Sequence, residues 1–223
     1  MGSMTSLTAS DGFKLGAYRA DPQGKPKGGL VVIQEIFGVN HHIRAVCDRF
    51  AALGYASVAP AIFDRYEPNF ESGYSPAEIE VARAYITKAD FGKILADTQA
   101  AIDSVQSTGK VGIVGYCLGG SVAFMAACKL NGLACAIGYY GGMIAKNAEQ
   151  KPKVPTMLHF GETDHSIPMT DVEIVKQLPK TVGELEHELA GVKSLPSVDQ
   201  ASMLIASDSD ASVGVMRNWL KEK

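Results

Sequence analysis

The chain has 223 residues, of which 46% are hydrophobic and 20% are charged, and its formal net charge is −3 at pH 7. This length suits one α/β domain with a sizeable core rather than two domains. The nearly balanced charge, without long runs of one sign, argues against a nucleic-acid partner. Since no apolar run approaches the ~20 residues that cross a bilayer, we expect no membrane partner either.

The chain start and the cysteines bear on location. Residues 1–3 are interpreted as a cloning remnant before a native start at Met4, with one domain over residues 4–223, and they lack the order of a signal peptide. The four cysteines form no CxxC pair and no zinc-type spacing with histidine. We therefore expect a cytoplasmic protein with free thiols, no metal and no cofactor.

Strand and helix patterns alternate along the chain. In chain order they predict an edge strand at 15–18, a buried strand at 28–33, a helix at 41–53, a strand at 55–60, helices at 77–87 and 91–104, a strand at 111–115, a helix at 121–130, and strands at 134–140 and 155–160. This alternation predicts an α/β fold with a mostly parallel central sheet and helices on both faces. In such sheets the working residues follow the carboxyl ends of strands, which directs attention to Glu35, Cys117 and Asp164.

The segment Gly115-Tyr116-Cys117-Leu118-Gly119 lies between a predicted strand and a small-residue helix. This is the context of a nucleophile elbow, in which a tight turn presents the nucleophile and the following amide faces a developing oxyanion. We expect the helix start to lower the pKa of the Cys117 thiol. The alternative is a buried cysteine in a glycine-rich turn. The other three cysteines lie in apolar contexts typical of inert thiols.

Four motifs together resemble the dienelactone hydrolase family over residues 10 to 177. They are Val-Val-Ile-Gln-Glu-Ile-Phe-Gly-Val-Asn (31–40), Gly-Tyr-Cys-Leu-Gly-Gly (115–120), Gly-Tyr-Tyr-Gly (138–141) and His-Phe-Gly-Glu-Thr-Asp-His-Ser-Ile-Pro (159–168). The resemblance implies an α/β-hydrolase fold, a Cys-His-Asp triad, and hydrolysis of cyclic enol-lactones to open dicarboxylates. Residues 211–220 also resemble the amphipathic helix that closes the family's fold, which implies a helix there.

Residue roles follow from the resemblance. Cys117 would be the nucleophile, and Asp164 the acid that orients the base. Glu35 would be a regulatory carboxylate that holds the thiol at rest and swings away when substrate binds. The amides of Ile36 and Leu118 would form the oxyanion hole. The alternative interpretations are a turn aspartate at 164 and a solvated loop acid at 35.

The predicted substrate pocket departs from the family pattern. Tyr85 matches the family's tyrosine, but Val81 stands where an arginine grips the substrate carboxylate. Arg83 is near in sequence, yet residues two apart on a helix do not share a face. A neutral or bulkier ester is therefore as good a candidate as dienelactone. Phe37 and Tyr139 are candidates to line the pocket, with core packing as an equal interpretation.

The family's triad histidine is absent from its usual place, where residues 191–197 read Gly-Val-Lys-Ser-Leu-Pro-Ser. His187 follows Asp164 by 23 residues (187 − 164) in the atypical tail 178–210, and its place in the chain order makes it the default base. An exposed histidine among glutamates is the alternative. Of the other histidines, His159 is interpreted as a satisfied core residue, and the pair at 41 and 42 as capping or surface residues.

Three hypotheses therefore remain open. The first is a cysteine hydrolase acting on a small-molecule ester or lactone, including activated aryl esters or phosphotriesters. The second is a non-catalytic binding or regulatory protein on the same fold, without a competent base. The third is a thiol redox sensor built on Cys117. A monomer is expected in each case.

Overall fold

The computed structural model describes residues 1–178. Within them one sheet holds seven strands, in the order β1-β2-β4-β3-β5-β6-β7. Their bounds are β1 Ser3–Thr8, β2 Lys14–Ala20, β3 Gly29–Ile33, β4 Ala56–Pro60, β5 Val111–Tyr116, β6 Leu133–Tyr139 and β7 Thr156–His159. β1 pairs with β2, and β2 with β4, in antiparallel fashion, whereas the other neighbours are parallel. The predicted mostly parallel sheet is confirmed.

Five α-helices accompany the strands in the described part of the chain. They are α1 His41–Ala52, α2 Pro76–Lys88, α3 Phe91–Val105, α4 Leu118–Lys129 and α5 Met169–Lys176. Alternate residues of β3 enter two different cores. Val31 packs with residues of α3 and α4, whereas Val32 packs with residues of α1. Helices therefore cover both faces of the sheet, and β3 is buried throughout, as its apolar run predicts.

The predicted edge strand at 15–18 is wrong in its position. β2 lies between β1 and β4, and β1 forms the edge. The pattern of β1 hides it, because its six residues are mostly polar and only Leu7 is buried. Ser3, predicted to belong to a cloning remnant, begins this strand, and the amide of Gly2 donates to Asp48 Oδ1 at 2.8 Å.

The atypical tail lies almost wholly outside the described residues. His187 and the predicted helix at 211–220 fall in the undescribed part of the chain, together with the stretch at 191–197. Across residues 1–178, no helix is long and apolar enough to span a membrane.

Candidate active site

Cys117 lies between β5 and α4 with φ 55° and ψ −116°, a backbone conformation that side chains rarely adopt. The glycines around it allow this turn. A Cβ on Gly115 would lie 1.8 Å from the Gly119 oxygen, and one on Gly120 would lie 2.3 Å from the Tyr139 oxygen. The Tyr139 oxygen also accepts the Cys117 amide at 3.0 Å. The observed geometry is that of a nucleophile elbow.

The electrostatic environment of Cys117 favours the protonated thiol. Burial raises the pKa of this half-buried thiol, and the charges of Glu35 and Asp164 raise it further, while the Leu118 amide lowers it by hydrogen bonding. The expectation that the helix start lowers the pKa overall is therefore wrong. The amide acts in the expected direction, but desolvation of the thiolate outweighs it.

Glu35 follows β3 and its carboxylate lies between two phenols. Tyr74 donates to Oε2 at 3.2 Å, and Tyr140 donates to Oε1 at 3.3 Å. Burial raises the pKa of Tyr140, and partial desolvation raises that of Tyr74, although Tyr74 is 55% exposed. Glu35 acts on Cys117 through its charge. The interpretation of Glu35 as a fully solvated loop acid does not fit this half-buried, doubly bonded position.

Two residues at this carboxylate were missed by sequence reasoning. Tyr140 belongs to the Gly-Tyr-Tyr-Gly motif, and its positive φ of 40° marks it as a special backbone position. Tyr74 comes from the long loop before α2 and carries no sequence signal. The hydrogen bond from Asn40 Nδ2 to its hydroxyl, at 3.4 Å, joins it to the N-terminus of α1.

The two predicted oxyanion-hole amides come shortly after strands β3 and β5: Ile36 is in the loop after β3, and Leu118 is the first residue of α4. The Leu118 amide bonds the Cys117 thiol, so it already faces the sulfur. The Ile36 amide donates to no acceptor within residues 1–178, which leaves it available to a ligand oxygen. Their joint role stays a prediction.

Asp164 lies in the turn after β7, close enough for its charge to raise the pKa of Cys117. Its Oδ1 accepts the Ser166 amide at 2.8 Å, and its own amide donates to Gly161 at 3.3 Å. These bonds fix the turn and leave Oδ2 without a partner in the described part of the chain. The structure therefore brings three of the predicted residues together at the carboxyl ends of the parallel strands β3, β5 and β7. They are Glu35, Cys117 and Asp164.

The four residues predicted to bind the substrate lie in different environments. Phe37 is buried, and its ring centroid lies 4.6 Å from that of Tyr74. Tyr139 stacks on its neighbours, so its ring has a packing role. Tyr85 packs on two phenylalanines of the loop before α2 and donates to Glu67. Arg83 pairs with Glu80 on the exposed face of α2.

The histidines of the described residues offer no base in contact with the thiol. His159 stacks on Tyr139 at 4.6 Å, and burial lowers its pKa to about 4. Its ring is half-buried and its buried Nε2 has no hydrogen-bond partner among residues 1–178, so the interpretation as a satisfied core residue stays a prediction. His165, His41 and His42 are exposed, and Asn40 rather than a histidine caps α1.

The other three cysteines are buried. Burial raises the pKa of Cys47 and Cys135 to about 12 and that of Cys128 to about 11, as expected of inert core thiols. All four cysteines are free. The described residues contain no cluster of histidine, cysteine and acidic side chains that could hold a metal ion.

Comparisons with known proteins agree with this geometry. Residues 15–190 match the model of the dienelactone hydrolase family. The chain is 32% identical over 216 residues to carboxymethylenebutenolidase 1 of Cupriavidus pinatubonensis, which covers 90% of this chain and 91% of that protein. It is 33% identical over 181 residues to a carboxymethylenebutenolidase of Pseudomonas putida, covering 77% of this chain and 75% of the relative.

Solved structures share the fold. A crystal structure from Klebsiella pneumoniae superposes with a TM-score of 0.70 at 22% identity, covering 100% of both chains. A dienelactone hydrolase-like promiscuous phosphotriesterase from metagenomic libraries gives a TM-score of 0.64 at 20% identity, covering 98% of this chain and 97% of the other. The chain therefore belongs to the dienelactone hydrolase family, and it is an α/β-hydrolase acting on ester or lactone bonds.

Proposed function

We propose that Cys117 is the covalent nucleophile that hydrolyses neutral carboxylic esters or lactones. The observation that carries the proposal is the strained elbow, which presents this thiol beside Glu35 and Asp164. The thiolate attacks the carbonyl carbon, and the oxyanion accepts hydrogen bonds from the amides of Ile36 and Leu118. The intermediate collapses to a thioester, the alkoxide leaves with a proton from the base, and water then hydrolyses the thioester.

This chemistry requires a base, because burial keeps the Cys117 thiol protonated at rest. We propose His187 for that role, with Asp164 orienting its ring, by the chain order nucleophile, acid, histidine. Asp164 Oδ2 has no hydrogen-bond partner among residues 1–178, which supports this arrangement, since an orienting carboxylate needs an oxygen to accept the imidazole N–H.

The lack of an unpaired cation at two positions of α2 supports a neutral substrate. Val81 is 53% exposed on α2 where the family resemblance implies a carboxylate-binding arginine, and Arg83 is already paired with Glu80. Positions 81 and 83 of α2 therefore offer no unpaired cation to an anionic substrate. A neutral ester, such as an activated aryl ester, fits better than an anionic lactone. The similarity to a promiscuous phosphotriesterase supports phosphotriesters as further substrates.

We propose further that the enzyme acts as a monomer in the cytoplasm. The four free cysteines of the described residues support the reducing compartment. The monomer is an expectation. Size-exclusion chromatography with light scattering measures the oligomeric state directly.

Chromogenic p-nitrophenyl esters test the proposed nucleophile. We expect turnover by the wild type and a loss of about a thousandfold or more in kcat for Cys117→Ala. Cys128→Ala is the matched control, because it removes a thiol from the buried face of α4 and leaves the elbow intact. Equal rates in wild type and Cys117→Ala would overturn the assignment. Absence of turnover in the wild type would favour the non-catalytic alternative.

A further inference from the structure

A cavity of about 360 Å³ lies between the start of α1 and the loop before α2. Its volume is at the lower end of the roughly 300–1,000 Å³ that ligand pockets occupy. The cavity meets the candidate active site at Tyr74, which forms part of its wall and donates its hydroxyl to Glu35 Oε2 at 3.2 Å. None of the four residues predicted to bind the substrate lines it.

Three side chains with flat rings line the cavity, namely Tyr74, His41 and His42. One side of the Tyr74 ring packs on Phe37, with ring centroids 4.6 Å apart, yet more than half of the residue is exposed. Both histidines are exposed at the start of α1, and the ring of His42 lies edge-on to Tyr116 at 6.2 Å. An aromatic ring that is supported on one side and open on the other is a stacking surface for a planar group.

The charges around the cavity favour a neutral group over an ion. Its two carboxylates, Glu71 and Glu78, would repel an anion. Both are already compensated. Glu71 pairs with Arg44. Glu78 accepts the amides of Gly73 and Ser75, at 3.2 and 3.0 Å, where it closes the capping box of α2. A cation would therefore find no carboxylate without a partner on the described wall of the cavity.

Two hydrogen-bond donors on the wall suit a polar substituent on a planar group. A neutral imidazole carries one N–H, and neither His41 nor His42 donates to an acceptor within residues 1–178. A nitro or carbonyl oxygen would accept these protons without bringing a net charge. The wall therefore matches a planar, uncharged group that carries hydrogen-bond acceptors.

We propose that this cavity is a subsite for the neutral aryl group of an ester, with the Tyr74 ring as its stacking surface. The inference deepens the proposed function and rests on it, because the ester carbonyl lies at Cys117 while the aryl group lies against Tyr74. Glu35 connects the two places, since it accepts from Tyr74 and its charge acts on Cys117. Tyr74 is thereby a specificity-determining residue that selects planar groups over saturated groups of similar size.

The binding of p-nitroanisole to Cys117→Ala tests the subsite without any turnover. This ligand is a neutral aryl ether whose ether oxygen stands in for the ester oxygen, and titration calorimetry measures its Kd. We expect Tyr74→Leu, made in the same background, to weaken binding by roughly threefold to tenfold, the factor that one aromatic pair contributes. Tyr74→Phe keeps the ring and should retain the affinity.

The leucine of Tyr74→Leu still covers Phe37, and a thermal melt verifies that this variant is folded. Ile174→Ala is the control, because it removes an exposed apolar side chain of α5 that does not line the cavity, and it should leave the Kd unchanged. Absence of p-nitroanisole binding, or equal affinities in Tyr74→Leu and Tyr74→Phe, overturns the proposal.

Two charged analogues separate this subsite from an ion site. On the same ring, p-nitrobenzoate carries an anion and p-nitrobenzylammonium carries a cation. We expect both to bind more weakly than p-nitroanisole, because the carboxylates repel the anion and the cation loses its hydration without gaining an unpaired partner. Tighter binding of either ion would show that the neutral class is wrong.

Photolabelling with 4-azidoanisole locates the bound ligand directly. Peptide mass spectrometry should find the adduct on residues 40–42 or 71–74, which form opposite parts of the wall. The p-nitroanisole ligand should compete with this labelling. Labelling that spares both segments would contradict the assignment of the cavity.

The ratio of kcat/KM for phenyl acetate to that for cyclohexyl acetate relates the subsite to catalysis. Relative to the wild type, Tyr74→Leu should lower this ratio by roughly threefold to tenfold. Any effect of Tyr74 on Glu35 cancels, because it acts on both substrates alike. Binding of p-nitroanisole that depends on Tyr74, in a chain that hydrolyses no ester, would refute the proposed function alone. Ester turnover with an unchanged ratio would refute the subsite alone.

Discussion

Gly119 lies against the backbone of Ile33, so closely that a Cβ on Gly119 would be 2.4 Å from the Ile33 carbonyl oxygen and 2.6 Å from that of Gln34. The first turn of α4 therefore packs directly on the end of β3. Glu35 is the residue after Gln34, so this contact limits how closely the elbow cysteine and the Glu35 backbone approach. A glycine at this position is required by close approach of the two backbones, since its own φ is not positive.

Substitution Gly119→Ala should force these backbones apart. We expect a loss of about 1–3 kcal/mol in the free energy of unfolding, as for other overpacked sites, together with a large fall in kcat. Urea denaturation and ester turnover measure the two effects. Gly142→Ala is the control, since its added Cβ would meet only Ile167, at an ordinary 3.9 Å. A stable and fully active Gly119→Ala would show that the contact is not essential.

The pH dependence of Cys117 reactivity follows from the causes that raise its pKa. Burial is the largest cause, and the charge of Glu35 adds to it. Glu35→Gln removes that charge, so the pKa should fall and alkylation near pH 7 should accelerate, while rates converge at high pH where the thiolate dominates in both proteins. A rate profile from pH 6 to pH 10 checks this. Slower alkylation in Glu35→Gln would mean that the carboxylate activates the thiol instead.

We expect the stability of the fold to depend on a buried ion pair. Arg65 donates to both oxygens of Asp97, at 2.7 and 2.8 Å, and the Asp97 side chain is fully buried. In Asp97→Asn, the only carboxylate that still pairs with Arg65 in the described structure is that of Asp11, whose side chain is 43% exposed. We expect a loss of about 3 kcal/mol, measured by urea denaturation. Arg83→Ala, which breaks an exposed pair on α2, should change stability little. Equal effects would contradict the assigned burial.

The predicted base is tested by His187→Ala. If this residue accepts the thiol proton, kcat should fall by about a hundredfold to ten-thousandfold, and the dependence of kcat on pH near neutrality should disappear. His165→Ala is the comparison, because it removes an exposed histidine adjacent to Asp164. Full activity of His187→Ala, with a loss in His165→Ala, would reassign the base.

Much of the scaffold could be predicted because its signals are local. The apolar run of β3 and the glycines around Cys117 each reflect a constraint that neighbouring residues impose. Strand β1 could not be found in this way, because its residues are mostly polar and its pairing with β2 is an edge contact. Because β1 pairs with the outer side of β2, the strand predicted at 15–18 is not at the edge of the sheet.

The missed features of the site depend on residues that are distant in sequence. Tyr74 and Tyr140 are 39 and 105 residues from Glu35, so neither hydrogen bond leaves a spacing pattern. The sequence also predicts the wrong direction for the pKa of Cys117, for a related reason. The helix start is visible in the sequence, whereas the desolvation that outweighs it comes from elements packed around the thiol.

The central claim is that Cys117 carries the acyl group during turnover. The most direct measurement is acid quenching of the enzyme during hydrolysis of p-nitrophenyl acetate, followed by peptide mass spectrometry. The account predicts an acetyl adduct on the Cys117 peptide of the wild type and none in Cys117→Ala. Rapid turnover without an adduct on that peptide, and at the same rate in Cys117→Ala, would contradict it.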